Sequence, residues 1–403
     1  MANIVHTLWA GPNGGSENFA VNLANLQAER GHRVTIVNMN RRQPDETLKS
    51  KVNDNVRYVY LGGHNLLRSF AFRTDTFLKQ HGKKSSLFDG LLCFELLKVF
   101  KKDKPVIIHS HLPESAFITA KALKKLKGVK IRHVYTDHGI LLKSLKDYET
   151  SGDYPWKGFN EKLKFFIKSL DYIVTISSQQ NAYWENKIKE GYNIKYSKID
   201  NGLPINLTTV KDRKELAFNN NDFIFGMAGR GEEPSKGWEL AINAFKLYNK
   251  VNGRLLLIGD GREIRRLQDL HRENSRITFT GMVKNPSDYL HFCDVGILLS
   301  TFGAESQPTT IIETLICEKP VISSNVGDIQ NMLNTNQGFA GILLEVKKNG
   351  IDVTEAANAM TLMHENKEAY SSFKQNATLA ARKFDMAVCL DRYEKEAYKI
   401  PLY

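Results

Sequence analysis

The sequence predicts two Rossmann-like, doubly wound α/β domains in tandem, and three observations predict it. The chain has 403 residues, too many for one ordinary core and suited to two domains of about 200 residues each. Short β-branched apolar runs alternate with amphipathic stretches along its whole length, the pattern of parallel sheets covered by helices on both faces. The alternation breaks once, at the turn-like IDNGLP (199–204), and then restarts. The expected domains are therefore 1–201 and 202–384, with the tail 385–403 packing back on the first. Hydrophobic residues at 42% and charged residues at 25% exclude long disorder, collagen-like repeats and a disulfide-framed mini-protein.

In the first half the expected strands are ANIVHTL (2–8), RVTIVNM (33–39), VRYVYL (56–61), PVIIHSH (105–111), IRHVYTDHG (131–139) and DYIVTISS (171–178). Helical spacing appears at 16–31, 115–128 and 178–191. Ser16 with Glu17 offers a start for the first helix and Gly31 a stop. In the second half the strands are FIFGMAG (223–229), GRLLLIG (253–259), RITFTG (276–281), DVGILLS (294–300), KPVISS (319–324) and GFAGILL (338–344), with helices at 236–250 and 260–274. In such sheets ligands bind beyond the carboxyl ends of the strands. Two facing domains would place one cleft between them.

Cys93, Cys293, Cys317 and Cys389 are far apart and form no C-x-x-C pair, which reads as reduced core thiols in a cytoplasmic protein. The opening MANIVHTLWAGPNGG has no basic segment followed by a long apolar one, so no signal peptide is expected. No apolar run approaches the length of a membrane span. The net charge is +12, and residues 1–200 carry 32 Lys and Arg against 19 Asp and Glu. A basic first half suits an anionic partner as well as it suits plain solubility. The segment 85–102 has apolar residues at helical spacing and a cationic tail. It reads as an interfacial helix or, more simply, as a helix packed on the sheet with a basic exposed end.

Four motifs carry chemistry. FGAESQPTTIIETL (302–315) holds Glu305 and Glu313. Pro308 is expected at the first helical position, where proline is favoured. The N–H groups near Thr309 and Thr310 would then form an anion site at the helix start, and a carboxylate one to two turns in can accept hydrogen bonds from a ribose diol. FIFGMAGRGEEPSKGWEL (223–240) places Arg230 and Lys236 at a strand mouth, suited to a pyrophosphate. It is no P-loop, and Gly229-x-Gly231 is only half of a dinucleotide fingerprint. In AGPNGGSEN (10–18), Gly14 and Gly15 allow either a tight turn or close approach of a ligand to backbone. His109, Ser110, His111, Asp137 and His138 lie at strand ends. A metal is a loose reading of them, because such histidines often satisfy backbone carbonyls. The chain contains no D-x-D triplet.

As an ordered set these motifs resemble glycosyltransferase family 4, retaining transferases of the GT-B fold, over nearly the whole chain. The likeness is strongest from 223 to 334, with AGR-x5-KG, LIGDG (257–261), FTGMV (279–283), ES-x6-E (305–313) and KPVISSNVG (319–327), and looser in the first half, where it rests on Gly14-Gly15 and DHG at 137–139. The resemblance implies that Arg230 and Lys236 hold the donor pyrophosphate and that Glu313 binds the ribose. It implies that Glu305 faces the donor sugar near its reacting carbon. Backbone from Ser306 and Gln307 through Pro308, Thr309 and Thr310 would touch sugar and phosphates, and Val283 would lie against the nucleobase. His138 would reach the donor sugar, and Gly14 and Gly15 would line the acceptor side. The implied catalytic group is Glu305, His138, Arg230 and Lys236, with no metal and no cofactor. The chain departs from the family at Val326-Gly327-Asp328-Ile329-Gln330, where a second glycine and a glutamate are usual, and at Ser306-Gln307, where a glycine-aromatic pair is usual. Both departures touch the donor-sugar pocket.

The implied reaction moves a sugar from a nucleotide-diphosphate sugar, with UDP favoured, to a hydroxyl of a glycan or lipid-linked glycan, in bacterial envelope polysaccharide or lipopolysaccharide synthesis. The implied setting is cytoplasmic, or peripheral on the anionic inner face of the cell membrane. A sugar-nucleotide epimerase of the same fold is the alternative nearest in chemistry. A basic nucleic-acid-binding protein explains the charge but not the paired glutamates, so nucleic acid is not an expected partner. A two-carboxylate glycosidase would not need Arg230 or Lys236.

Overall fold

The computed structural model of the chain describes residues 1–9, 14–40, 46–61, 66–81, 86–126, 128–139, 141–142, 145, 159–191, 193–204, 213–216, 218–232, 234–302 and 305–400. The chain divides into two compact units, Met1–Asn201 with Met386–Tyr403, and Gly202–Asp385.

In the first unit the strands are β1 (Asn3–Leu8), β2 (Arg33–Asn38), β3 (Arg57–Tyr60), β4 (Ile107–Ser110), β5 (Arg132–Asp137), β6 (Tyr172–Thr175) and β7 (Lys195–Lys198). They form a parallel sheet in the order β3-β2-β1-β4-β5-β6-β7. The helices are α1 (Gly15–Glu29), α2 (Glu46–Lys49), α3 (Leu66–Gln80), α4 (Leu87–Asp103), α5 (Pro113–Leu123), α6 (Phe159–Ile167) and α7 (Ser178–Lys189). The strand side chains alternate between two covered faces. Val5, Val37 and Ile108 pack under Leu92, Leu96 and Val99 of α4, while Ile4, Ile107 and Val134 pack under Phe19 and Leu23 of α1. The chain returns to this second face through α15 (Met386–Arg392) and the π-helical turn Tyr393–Tyr398, which bury Met386, Leu390, Tyr393 and Tyr398 there.

The α4 helix settles the two readings of 85–102. Its apolar residues Phe88, Leu92, Cys93, Leu96, Val99 and Phe100 are buried in the core, and Lys101 and Lys102 end it exposed. Burying each such side chain is worth about 1.5–3 kcal/mol, so this face is committed to the sheet. Helix α1 begins one residue earlier than Ser16. Its N-cap is Gly14 with extended backbone, and the Ser16 hydroxyl donates to Glu17 Oε2 at 2.7 Å instead of capping.

The second unit holds β8 (Phe223–Ala228), β9 (Gly253–Ile258), β10 (Ile277–Phe279), β11 (Val295–Leu298), β12 (Val321–Ser324) and β15 (Gly341–Leu344), parallel in the order β10-β9-β8-β11-β12-β15. A small antiparallel pair, β13 (Asn334–Thr335) with β14 (Gly338–Phe339), precedes the last strand. Helices α8 (Trp238–Tyr248), α9 (Arg262–His271), α10 (Ser287–Leu290), α11 (Thr309–Ile316), α12 (Ile329–Leu333), α13 (Val353–Glu365) and α14 (Lys367–Ala381) cover the sheet. One face buries Phe225, Leu255, Leu257 and Ile297 against Trp238, Ile242 and Phe245 of α8. The other is covered by Ile311, Ile312 and Leu315 of α11 beside β11 and β12. All four cysteines are buried and unpaired. In each unit the strand order reverses direction once, between β1 and β4 and between β8 and β11, which are the places where open α/β sheets leave a crevice at their carboxyl edge.

Candidate active site

At the β8/β11 reversal the structure brings Lys236 of one motif against Glu305 of another. After β8 the chain passes Gly229 and Arg230, forms a short 3-10 turn Pro234–Lys236, and enters α8. After β11 it passes Ser300 and Phe302 to Glu305. Lys236 Nζ meets Glu305 Oε2 at 2.6 Å, and Ser300 Oγ donates to the same oxygen at 3.0 Å. The Glu305 side chain is only 8% exposed, against 32% for Lys236, so the carboxylate is the fixed member and the ammonium the accessible one. Lys236 Nζ also stands 5.0 Å from the centre of the Phe302 ring, a cation–π contact. The two loops are tied by backbone: Thr301 N–H donates to the Ser235 carbonyl at 2.7 Å. Arg230 is exposed, and its carbonyl accepts the Trp238 indole N–H at 3.4 Å.

Glu305 and Ser306 are held from a second side by the loop where the chain departs from the family pattern. Asp328 N–H donates to the Ser306 carbonyl at 2.9 Å. Gly327 has φ 60°, and a Cβ there would lie 2.2 Å from the Glu305 carbonyl oxygen. Only glycine permits this approach. Gln330 is exposed on α12.

Pro308 is the N-cap of α11, with ψ 123°, and Thr309 is the first helical residue. The expected N1 proline is therefore displaced by one position. The extended ψ at Pro308 turns the chain into the helix and leaves its carbonyl to accept from Ile311 N–H at 3.0 Å. The N–H groups of Thr309 and Thr310 precede this first bond. Ser306, Gln307 and Pro308 are buried, Thr309, Thr310 and Glu313 half-buried. Val283 packs against the core beside Ile258 and Leu290, beyond the end of β10.

In the first unit the structure places Gly14 buried and Gly15 exposed at the start of α1. A Cβ at Gly14 would lie 1.9 Å from Glu17 Oε2, so the space above this glycine is taken by the chain's own carboxylate. His138 follows β5, half-buried, with Nε2 3.3 Å from His111 Nδ1 and the Phe19 ring 5.6 Å away. Burial lowers the His138 pKa and pushes the Asp137 carboxyl up to about 7. Asp137 Oδ1 accepts from Gly139 N–H at 2.9 Å, whereas Oδ2 has no hydrogen-bond partner among the described residues. His109, His111 and Ser110 are buried.

Sequence reasoning missed Ser300 and Phe302 as partners of the Lys236–Glu305 pair, and it missed His6, Gln27, Tyr393 and Tyr398 around the histidines. The signal was present for two of these. A histidine inside the apolar strand NIVHTL and a glutamine on the inner face of α1 are both fully buried, and buried polar groups are expected to be paired.

Comparison with known proteins follows the same division. A family profile described as Glycosyltransferase Family 4 matches residues 13–199, and one described as Glycosyl transferases group 1 matches residues 222–366. An N-acetyl-alpha-D-glucosaminyl L-malate synthase of Bacillus anthracis is 23% identical over 320 residues, 78% of this chain and 80% of the relative. Among solved structures, Anabaena HepE in complex with UDP and glucose superposes with a TM-score of 0.72 at 18% identity, covering 99% of this chain and 100% of that one. Sucrose-phosphate synthase from Thermosynechococcus elongatus gives 0.73 at 17% identity, covering 98% of each chain.

Proposed function

The chain belongs to glycosyltransferase family 4 and has the GT-B fold, and from that premise we propose that it is a retaining, metal-independent transferase. It takes a nucleotide-diphosphate sugar, with UDP favoured, and passes the sugar to a hydroxyl of a glycan or lipid-linked glycan in envelope polysaccharide synthesis. The observation that carries this reading is the 2.6 Å contact of Lys236 with Glu305 at the strand-order reversal. A cation beside a carboxylate suits a bond that splits into a departing anion and a cationic carbon. In the proposed step the bond from the anomeric carbon to the β-phosphate oxygen breaks. Arg230, Lys236 and the N–H groups at the start of α11 stabilise the diphosphate, and Glu305 faces the sugar. The acceptor oxygen bonds to the anomeric carbon on the face the phosphate leaves, and its proton passes to a β-phosphate oxygen. Glu313 holds the ribose, Val283 the nucleobase, and Ser306–Thr310 the sugar and phosphates. His138 meets the sugar, while Gly14 and Gly15 belong to the acceptor side. The test is a thermal-shift screen of sugar nucleotides followed by a transfer assay in EDTA. A bound ligand raises stability by mass action. One sugar nucleotide should shift the melting temperature and be consumed only with acceptor. Consumption to free sugar products without acceptor would favour the epimerase reading, and no shift with any sugar nucleotide would contradict transfer.

We further propose that the first unit attaches to an anionic membrane face. No described helix is long and apolar enough to cross a membrane, but α3 exposes Leu66, Leu67, Phe70 and Phe77, with exposed Arg73 in the same stripe. Apolar residues backed by basic ones suit an anionic interface. The protein should sediment with anionic vesicles at low salt and be released at high salt, and Phe70→Ser with Phe77→Ser should weaken this. Equal binding to neutral vesicles, or none to either, would count against attachment.

A further inference from the structure

His6, His109 and His111 bring three ring nitrogens within 4.8 Å of one another, all fully buried. This is the arrangement a metal would use, but the nitrogens are already engaged. His6 Nε2 lies 2.7 Å from Gln27 Oε1, and His6 Nδ1 lies 2.9 Å from His111 Nε2. His111 Nδ1 lies 3.3 Å from His138 Nε2. His109 uses Nδ1 toward the Tyr398 hydroxyl at 2.8 Å and Nε2 toward Thr136 Oγ1 at 2.7 Å. All six nitrogens have a partner within the protein.

The contacts form a directed chain. Burial holds these imidazoles neutral, lowering the His6 pKa to about 4 and those of His109 and His111 well below the usual value. A neutral imidazole has one N–H and one lone pair, so each bond dictates the next. Gln27 Oε1 can only accept, so His6 carries its proton on Nε2 and offers the Nδ1 lone pair. His111 must donate to it from Nε2 and offers its own Nδ1. His138 must donate from Nε2, and its Nδ1 remains an acceptor. The chain could run with every proton reversed if the Gln27 amide were turned over. In the structure the amide stands with Nε2 toward the Tyr398 hydroxyl, donating to it at 3.1 Å, which leaves Oε1 for His6; the same hydroxyl lies 2.8 Å from His109 Nδ1.

We propose that Gln27, acting through His6 and His111 and oriented by Tyr398, is a positioning residue that sets the tautomer of His138. The proposal rests on the reading of His138 as the group that meets the donor sugar, and it adds a specificity: His138 presents a lone pair, suited to a sugar hydroxyl rather than to a carbonyl. It also gives the returning segment a part in the site, because Tyr398 lies 260 positions beyond His138 in the sequence.

The experiment reads tautomers directly, by long-range proton–nitrogen correlation NMR on protein with nitrogen-15 histidine and no donor added. Wild type should show the proton on Nε2 and a bare Nδ1 at His6, His111 and His138. In Tyr398→Phe and in Gln27→Met, His138 should become a mixture of both tautomers. His133, held apart from the chain by Ser110 and Ser169, should be unchanged and reports that the fold is intact. If the two forms become equally populated, only half of the protein is competent, so kcat/KM for donor should fall about twofold or more. A proton on Nδ1 of His138 in wild type would overturn the proposal. So would an unaltered His138 in both variants with His133 intact, or stoichiometric zinc binding at the three histidines. Shifted tautomers with unchanged transfer would uphold the chain and remove His138 from the sugar site, separating the two claims.

Discussion

Glu305 and Glu313 have different surroundings, and they should fail differently. Glu305 is nearly enclosed, fixed by Lys236 and Ser300, and is assigned to the part of the donor where charge develops. Glu305→Gln keeps the shape and the Ser300 bond but removes the charge. It should lower kcat about 10²–10³-fold, the usual loss for one electrostatic group acting in the transition state, with donor KM nearly unchanged. Glu313 is half-buried within α11 and is assigned to the unreactive ribose. Glu313→Ala should chiefly raise donor KM, because it removes binding shared by ground and transition states. Steady-state kinetics with donor varied at saturating acceptor decides between them. The reverse pattern would exchange the two roles.

Among the elements, the loop 326–328 acts as a backstop for Glu305. Gly327→Ala would force a non-glycine residue to φ 60° and set its Cβ against the Glu305 carbonyl. The strain should cost about 1–3 kcal/mol, read as a lower urea midpoint, and should cut turnover by displacing the carboxylate. An unchanged midpoint would mean that the loop yields freely. The strands of both sheets were legible because buried parallel strands are written as continuous β-branched runs, as in VTIV at 34–37 or LLLI at 255–258. The short edge strand β7 was not, because its four residues Lys195–Lys198 read KYSK, with lysine at both ends and none fully buried. The caps were off by two residues at Gly14, where Ser16 was expected, and by one at Pro308; at both, backbone conformation rather than side-chain chemistry decides the start. Arg230, Lys236 and Glu305 could be read from motif order, but the direct contact of Lys236 with Glu305 could not, since 69 positions separate them. Tyr398 was out of reach for the same reason: nothing local in DRYEKEAYKI says which face of a distant sheet it covers.

For the molecule as a whole, the buried histidines predict acid lability. His6, His109, His111, His133 and His138 all have pKa values lowered by burial, that of His6 to about 4 and that of His133 to about 3. Below pH 6.5 the unfolded chain takes up protons that the folded chain refuses, so stability present above that pH is lost as the pH falls toward 4. For His6 alone the shift corresponds to about 3 kcal/mol. Asp137, raised to about 7, works in the opposite direction: the folded chain keeps a proton that the unfolded chain loses between about pH 4 and 7, so its contribution falls as pH rises. Burial raises the Glu114 carboxyl as well; two carboxyls oppose five imidazoles, and the urea midpoint should drop between pH 7.5 and 5. A midpoint that is flat or rises on acidification would mean that the histidines are solvated.

The most direct measurement is calorimetric titration of UDP into the protein in EDTA, for wild type and for Arg230→Ala combined with Lys236→Ala. The account predicts saturable binding to one site in wild type and a loss of affinity of tenfold or more in the double variant, with its melting temperature without ligand unchanged. Equal affinity in both proteins, or binding in wild type only when magnesium or manganese is restored, would contradict it.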